Sequence, residues 1–247
     1  MVYPPKNTLS LFIRRALGRT GYAPFAVVLI ILSAAGAWAS PSAESSALSV
    51  EDTRWDDSIA AFVAADHVKA PAPGGVVFIG SSSIRLWDEV ESQFDAPPVI
   101  IKRGFGGATM SACTRYLDRI VVPYKPRLIL VYAGDNDLAE GREPREVYNH
   151  FVRFVETVHK TLPATRIAYI SIKPSPARAA LIPKMREANQ LIRQFVASGD
   201  HLDFIDVFTS MLDATGQPRA ELFQTDTLHL NGAGYKLWKT IIAPYVH

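Results

Sequence analysis

The sequence predicts an α/β fold built on a parallel sheet covered on both faces. Three observations point there. Five short, largely apolar segments rich in Val and Ile recur along the chain, at 76–79, 99–101, 127–132, 166–170 and 202–206. Strands buried on both faces have this character. Helical patterns lie between them, so strand and helix alternate. Glycines and polar residues gather just after the apolar segments, at the ends a parallel sheet collects on one edge. With 247 residues, 48% of them hydrophobic, the chain can build one sizeable core. No internal repeat, low-complexity tract or second domain is evident.

Each element has its own reason. Trp55, Ile59, Phe62 and Val63 are spaced along one helical face. Pro71-Ala72-Pro73-Gly74-Gly75 ends that helix and delivers Val76-Val77-Phe78-Ile79, the first strand. Gly80 stops it, and Ser81-Ser82-Ser83 leads into a helix start. Pro97-Pro98 precedes Val99-Ile100-Ile101, the second strand, and Gly104-Phe105-Gly106-Gly107 reads as a flexible turn after it. Thr109 to Val121 is helical in pattern. Arg127 to Tyr132 is the third strand and runs into Gly134-Asp135-Asn136-Asp137, a turn-forming run. From Pro144 to Lys160 an amphipathic helix buries Val147, Phe151, Phe154, Val155 and Val158. Arg166 to Ile170 and Leu202 to Asp206 are the last two strands, separated by a Pro174-Ser175-Pro176 loop and a helix over 184–198. The final helix starts near Gly232 and carries Tyr235, Leu237, Trp238 and Ile241.

Residues 1–39 read as a secretory signal peptide, or, uncleaved, an N-terminal membrane anchor. A basic region precedes the apolar run Phe25 to Ala35, followed by the small-x-small pattern Ala37-Trp38-Ala39. The run is short for a membrane span, which needs about 20 residues. The leader implies export, to the periplasm or outside the cell. Residues 40–50, rich in Ser and Ala, read as a linker, leaving 51–247 as the folded domain. The formal charge of +2 belongs to the leader: Lys6, Arg14, Arg15 and Arg19 are unmatched by acids there. Removing those 4 from 26 basic residues leaves 22 against 24 acidic ones, a balance of −2. No nucleic-acid footprint remains. Cys113 is the single cysteine, so no internal disulfide and no cysteine-cluster metal site can form, and its thiol is expected to be buried.

The chemistry-bearing candidates sit at predicted strand ends. Ser82 follows strand one, Gly107 closes the turn after strand two, Asn136 follows strand three, and Asp226 and His229 precede the last helix. Taken singly, each has a plain reading. Ser82 suits a helix N-cap as well as a nucleophile. Asn136 suits a turn as well as a hydrogen-bond donor aimed into a cleft. Gly104 to Gly107 suit a simple turn, or a backbone N–H presented to an anion. Their spacing fails the dinucleotide fingerprint, because Thr109 stands where a third glycine is required. Gly80-Ser81-Ser82-Ser83-Ile84 equally fails the Gly-x-Ser-x-Gly elbow. Asp226, three residues before His229, is placed to meet one imidazole nitrogen and leave the other as a base, or merely to cap a turn.

As an ordered set, these residues resemble the SGNH subgroup of the GDSL-type esterases and lipases. Gly80-Ser81-Ser82 matches the first block, Gly107 the second, Gly134-Asp135-Asn136-Asp137 the third and Asp226-Thr227-Leu228-His229 the fifth. The match spans about 75–245. Ser81 replaces the usual aspartate, Lys102 stands where the second block often has asparagine, and three adjacent serines leave Ser83 as an alternative to Ser82. The resemblance implies a three-layer α/β/α sandwich with a five-stranded parallel sheet in flavodoxin-like order. It implies a serine esterase that works through an acyl-enzyme, with Ser82, Asp226 and His229 as its relay. The N–H of Ser82, the N–H of Gly107 and the amide of Asn136 would form the oxyanion hole, with no cofactor and no metal. The expected partner is a small-molecule, glycan or lipid ester, with no nucleic acid and no membrane beyond the leader. Short acyl groups such as acetyl are expected, because no long insertion could form a lid over a lipid tail. A lysophospholipase, a thioesterase, or a non-catalytic glycan-binding module on the same fold are the alternatives. Phe105 and Trp87 are each read as an acyl-pocket wall or as core packing.

Overall fold

The computed structural model describes residues 53–94 and 99–246. The leader, the linker, Pro97-Pro98 and His247 lie outside the described residues. Five strands, Val76–Gly80 (β1), Ile100–Gly104 (β2), Leu128–Tyr132 (β3), Arg166–Ile170 (β4) and Leu202–Ile205 (β5), form one parallel sheet in the order β2-β1-β3-β4-β5. This is the flavodoxin-like order expected. In register, Gly80 stands beside Gly104 on one side and beside Tyr132 on the other. The strand ends bearing Ser82, Gly107 and Asn136 are therefore immediate neighbours. The chain reverses its direction of strand addition between β1 and β3, which is where open α/β sheets form their ligand crevice.

Alternate strand residues feed two cores, as a pleat of period two requires. Val77, Ile79, Ile129, Val131, Ile167 and Tyr169 face a larger core. It is closed by helices Asp56–Val68 (α1), Met110–Arg115 (α3), Leu117–Ile120 (α4), Pro144–Thr161 (α6) and Ile182–Val196 (α7). Val76, Phe78, Leu128, Leu130 and Ile170 face the other. There the short helix Ser82–Arg85 (α2) and the last helix Gly232–Ile242 (α8) pack, with Trp87, Tyr235 and Trp238 in mutual ring contact. The remaining helix, Asp135–Ala139 (α5), begins at the end of β3.

Several boundaries differ from the sequence reading, each for a local reason. β2 runs on through Lys102, Arg103 and Gly104, because both charged side chains have partners. Lys102 Nζ donates to the Trp87 carbonyl at 3.1 Å, and Arg103 reaches Asp66 and the Tyr124 hydroxyl. The Thr109–Val121 segment is two short helices broken at Tyr116, with Thr109 as N-cap accepting from the Ala112 N–H. The run Asp135-Asn136-Asp137 opens α5 rather than forming only a turn. The Pro174–Pro176 loop passes into a 3₁₀ segment, Pro176–Leu181, before α7. The five residues expected on the inner face of α6 are all buried. Phe105 and Trp87 are fully buried core residues, and an edge of Trp87 also lines a surface cavity beside Tyr235 and Lys239. Cys113 is buried as expected, and burial pushes its thiol pKa well up. Among the described residues no helix is long and apolar enough to cross a membrane.

Candidate active site

Gly80 is what allows the first strand to turn sharply into the serines. A Cβ there would sit 2.0 Å from the Tyr132 carbonyl oxygen, so only glycine lets β1 lie this close to the end of β3. Ser81 is the N-cap residue of α2, and Ser82 is its first helical residue. The sequence left cap and nucleophile open for Ser82; the structure gives the cap position to its neighbour. The Ser81 hydroxyl is buried without a partner and Ser83 is buried as well, whereas Ser82 is partly exposed. Its Oγ lies 3.0 Å from His229 Nε2. The Ser82 N–H belongs to the first turn of a helix, where backbone donors lack intrahelical acceptors.

His229 is held by a loop that Asp226 organises. Asp226 Oδ2 lies 2.6 Å from His229 Nδ1, and its Oδ1 accepts the backbone N–H groups of Leu228 and His229, each at 2.9 Å. Turn capping and imidazole orientation, offered by the sequence as alternatives, are thus performed together. These hydrogen bonds, that from the His229 ring first, lower the Asp226 pKa to about 2. An ionised carboxylate only accepts, so Nδ1 carries the imidazole proton and Nε2 faces Ser82 with its lone pair. The side chains of His229 and Asp226 are 25% and 46% exposed. Water reaches this half of the site, and the carboxylate is not a buried charge.

The glycine turn and the asparagine complete the rim. Phe105 to Ala108 form a β-turn, with Ala108 N–H donating to the Phe105 carbonyl at 3.2 Å and Gly107 at φ +72°. Positive φ at the third residue requires glycine or a tolerant stand-in. Space beside Gly107 is open, and among the described residues no acceptor takes its N–H. Asn136 Nδ2 donates to the Ala108 carbonyl at 3.1 Å, and its Oδ1 accepts from Arg178 Nη2 at 3.0 Å. A guanidinium can only donate and a carbonyl only accept, so the amide orientation is determined. One Nδ2 hydrogen is left over.

Three residues that hold this rim together escape the sequence reading. Asp137 is fully buried, and both its carboxylate oxygens accept the Met110 N–H, at 3.0 and 3.2 Å. It ties the helix after the glycine turn to the segment bearing Asn136. Asking where the first donors of that helix go would have pointed to it. Lys173, 1% exposed, donates to the Leu228 carbonyl at 2.9 Å and lies 3.6 Å from Asp135. Arg178 Nη1 lies 3.1 Å from the same Asp135 carboxylate. Burial lowers the Lys173 pKa, with Asp135 opposing. A lysine closing the largely apolar run 167–172 was the available signal.

The model of the GDSL-like Lipase/Acylhydrolase family matches residues 57–237. The chain belongs to that family. Comparison with curated proteins returns no match. Solved structures share its fold. One is a proposed platelet activating factor from Streptococcus pneumonia, at 23% identity and TM-score 0.69, over 78% of this chain and 92% of that one. A GDSL-like lipase from Bacteroides thetaiotaomicron gives 18% and 0.62, over 79% and 97%. A catalytic mutant of an acetylxylan esterase from Geobacillus stearothermophilus gives 14% and 0.57, over 71% and 95%. The chain is thus a GDSL acylhydrolase by family, an ester hydrolase by class, with the α/β fold of those neighbours.

Proposed function

We propose that the protein is a serine esterase that hydrolyses carboxylic esters through an acyl-enzyme. The observation that carries this reading is the linear set Ser82 Oγ, His229 and Asp226, joined at 3.0 and 2.6 Å. Ser82 Oγ attacks the ester carbonyl carbon while His229 Nε2 takes its proton. The imidazolium is stabilised by the ionised Asp226. The oxyanion is met by the Ser82 N–H, the Gly107 N–H and the remaining Nδ2 hydrogen of Asn136. As the tetrahedral species collapses, Nε2 returns the proton to the leaving alcohol. Water then adds to the acyl-enzyme by the same relay and releases the acid.

A short acyl group, acetyl on an external or envelope glycan, is the substrate we favour. Three points support it: the leader's export pattern, the absence of a long lid-like insertion between elements among the described residues, and fold likeness to an acetylxylan esterase. Turnover of acetyl, butyryl and long-chain aryl esters beside acetylated oligosaccharides tests both parts. Acetyl esters are expected to turn over fastest, and Ser82→Ala to remain folded but inert. Full activity in that variant would refute the mechanism, and a preference for long chains would refute the substrate.

A further inference from the structure

The oxyanion donor assigned to Gly107 belongs to the peptide unit joining Gly106 and Gly107. That peptide sits at the centre of the Phe105–Ala108 turn. Gly107 is at φ +72° and Gly106 is not in the left-handed region, which makes the turn type II. Types I and II differ mainly by a flip of this central peptide, and two glycines offer little resistance to it. A flip would carry the Gly107 N–H away from the direction it now takes. Something must therefore hold the peptide.

The Gly106 carbonyl accepts a hydrogen bond from Trp55 Nε1 at 2.9 Å, across 51 residues of chain. In a trans peptide the C=O and N–H point in opposite directions. Fixing the carbonyl on the Trp55 side fixes the N–H on the other. Trp55 is itself immobilised. It is 4% exposed, meets Phe105 edge to face with ring centroids 6.0 Å apart, and precedes α1. A hydrogen bond to the carbonyl also polarises the peptide and strengthens its N–H as a donor.

We propose that Trp55 is a positioning residue for catalysis, setting the Gly106–Gly107 peptide so that the Gly107 N–H meets the oxyanion. The inference rests on the acyl-transfer reading above. It links a residue of the N-terminal segment to the rate of the chemical step rather than to substrate binding. Losing an oxyanion donor outright costs about 10²–10³ in rate. Losing only its anchor leaves part of the population in the right turn, so the expected loss is smaller, about tenfold or somewhat more.

The test compares Trp55→Phe, which keeps a ring against Phe105 but has no N–H, with Trp55→Leu, which removes both. Both variants are expected to lose about tenfold or more in kcat, with KM within about twofold of the unaltered enzyme. Trp55→Leu is also expected to melt earlier. A trifluoromethyl ketone, whose adduct with Ser82 carries the oxyanion, should bind Trp55→Phe more weakly by the factor lost in kcat/KM. If Trp55→Phe keeps full kcat while Trp55→Leu is slow, packing explains the residue and the proposal fails. A change confined to KM also overturns it. Ser82→Ala separates the two layers of inference. Turnover persisting in Ser82→Ala defeats the mechanism itself, whereas an inert Ser82→Ala beside a fully active Trp55→Phe defeats only the role of Trp55.

Discussion

The two halves of the proposed catalytic rim are built on opposite principles. The oxyanion side is made of strand ends, buried carboxylates and glycine turns. Asp137 accepts the first N–H of α3, Asp135 pairs with Lys173 and Arg178, and Arg178 holds the Asn136 amide. The relay side is a loop open to water, in which Asp226 is nearly half exposed and Thr227 adopts φ +57°. That conformation is strained for a β-branched residue. The contrast follows from what each side does. Stabilising charge that develops on an oxygen depends on donors fixed in advance. In the proposed mechanism, moving a proton between Ser82, the imidazole and the departing alcohol tolerates small adjustments, and water enters for deacylation.

The contrast can be broken from the rigid side first. Asn136→Ala removes a pre-aimed donor and leaves Arg178 without its amide acceptor. Steady-state kinetics should show kcat down by about 10²–10³ with little change in KM; a change carried mainly by KM would make Asn136 a binding residue. Asp135→Asn acts one step further back. It strips the countercharge from Lys173, which is buried, and from Arg178. Removing one member of a buried ion pair typically costs 3–5 kcal/mol. Arg178 is partly solvated and Lys173 keeps the Leu228 carbonyl, so about 3 kcal/mol is expected in denaturant unfolding at neutral pH. An unchanged midpoint would show that the charges are not held by one another.

The smallest effect is expected on the solvated side. A buried triad carboxylate is worth about 10⁴ in kcat. Asp226 is screened by water, so Asp226→Asn should lose only about ten- to a hundredfold, and a 10⁴-fold loss would erase the contrast. The pH profile sharpens it. The folded-state pKa of Asp226 is depressed to about 2, below the ordinary carboxylate value of about 3.9. Its stabilising contribution is thus full above pH 4 and is lost only as pH falls through 2. An acid arm in activity above pH 4 is therefore not expected to come from this carboxylate and should persist in Asp226→Asn. An arm that vanished in that variant would assign the titration to the carboxylate.

The sequence was legible where one residue's requirement is local. Continuous Val and Ile runs between helical patterns set the parallel sheet, and the order of Ser82, Gly107, Asn136, Asp226 and His229 placed them all on one edge. Between Ser82 and Ser83, only the register from Gly80 in the family resemblance picks Ser82; composition alone could not choose. That choice depends on which hydroxyl is partly exposed and which are buried at the start of a helix. The supports were illegible for a related reason. Trp55, Lys173 and Arg178 act on residues far along the chain, and each reads locally as a helix-face aromatic, a strand-end cation or a loop arginine. Phe105 and Trp87 read in sequence as pocket wall or as core packing, because aromatic residues near a site look alike there whether they line it or lie beneath it.

The central claim is that the hydroxyl of residue 82 carries the acyl group. Treating the enzyme with a fluorophosphonate and mapping the modified peptide by mass spectrometry tests it most directly. A single adduct on Ser82, abolished by His229→Ala, is the predicted result. An adduct on Ser81 or Ser83, or an unlabelled enzyme that still hydrolyses esters, would contradict it.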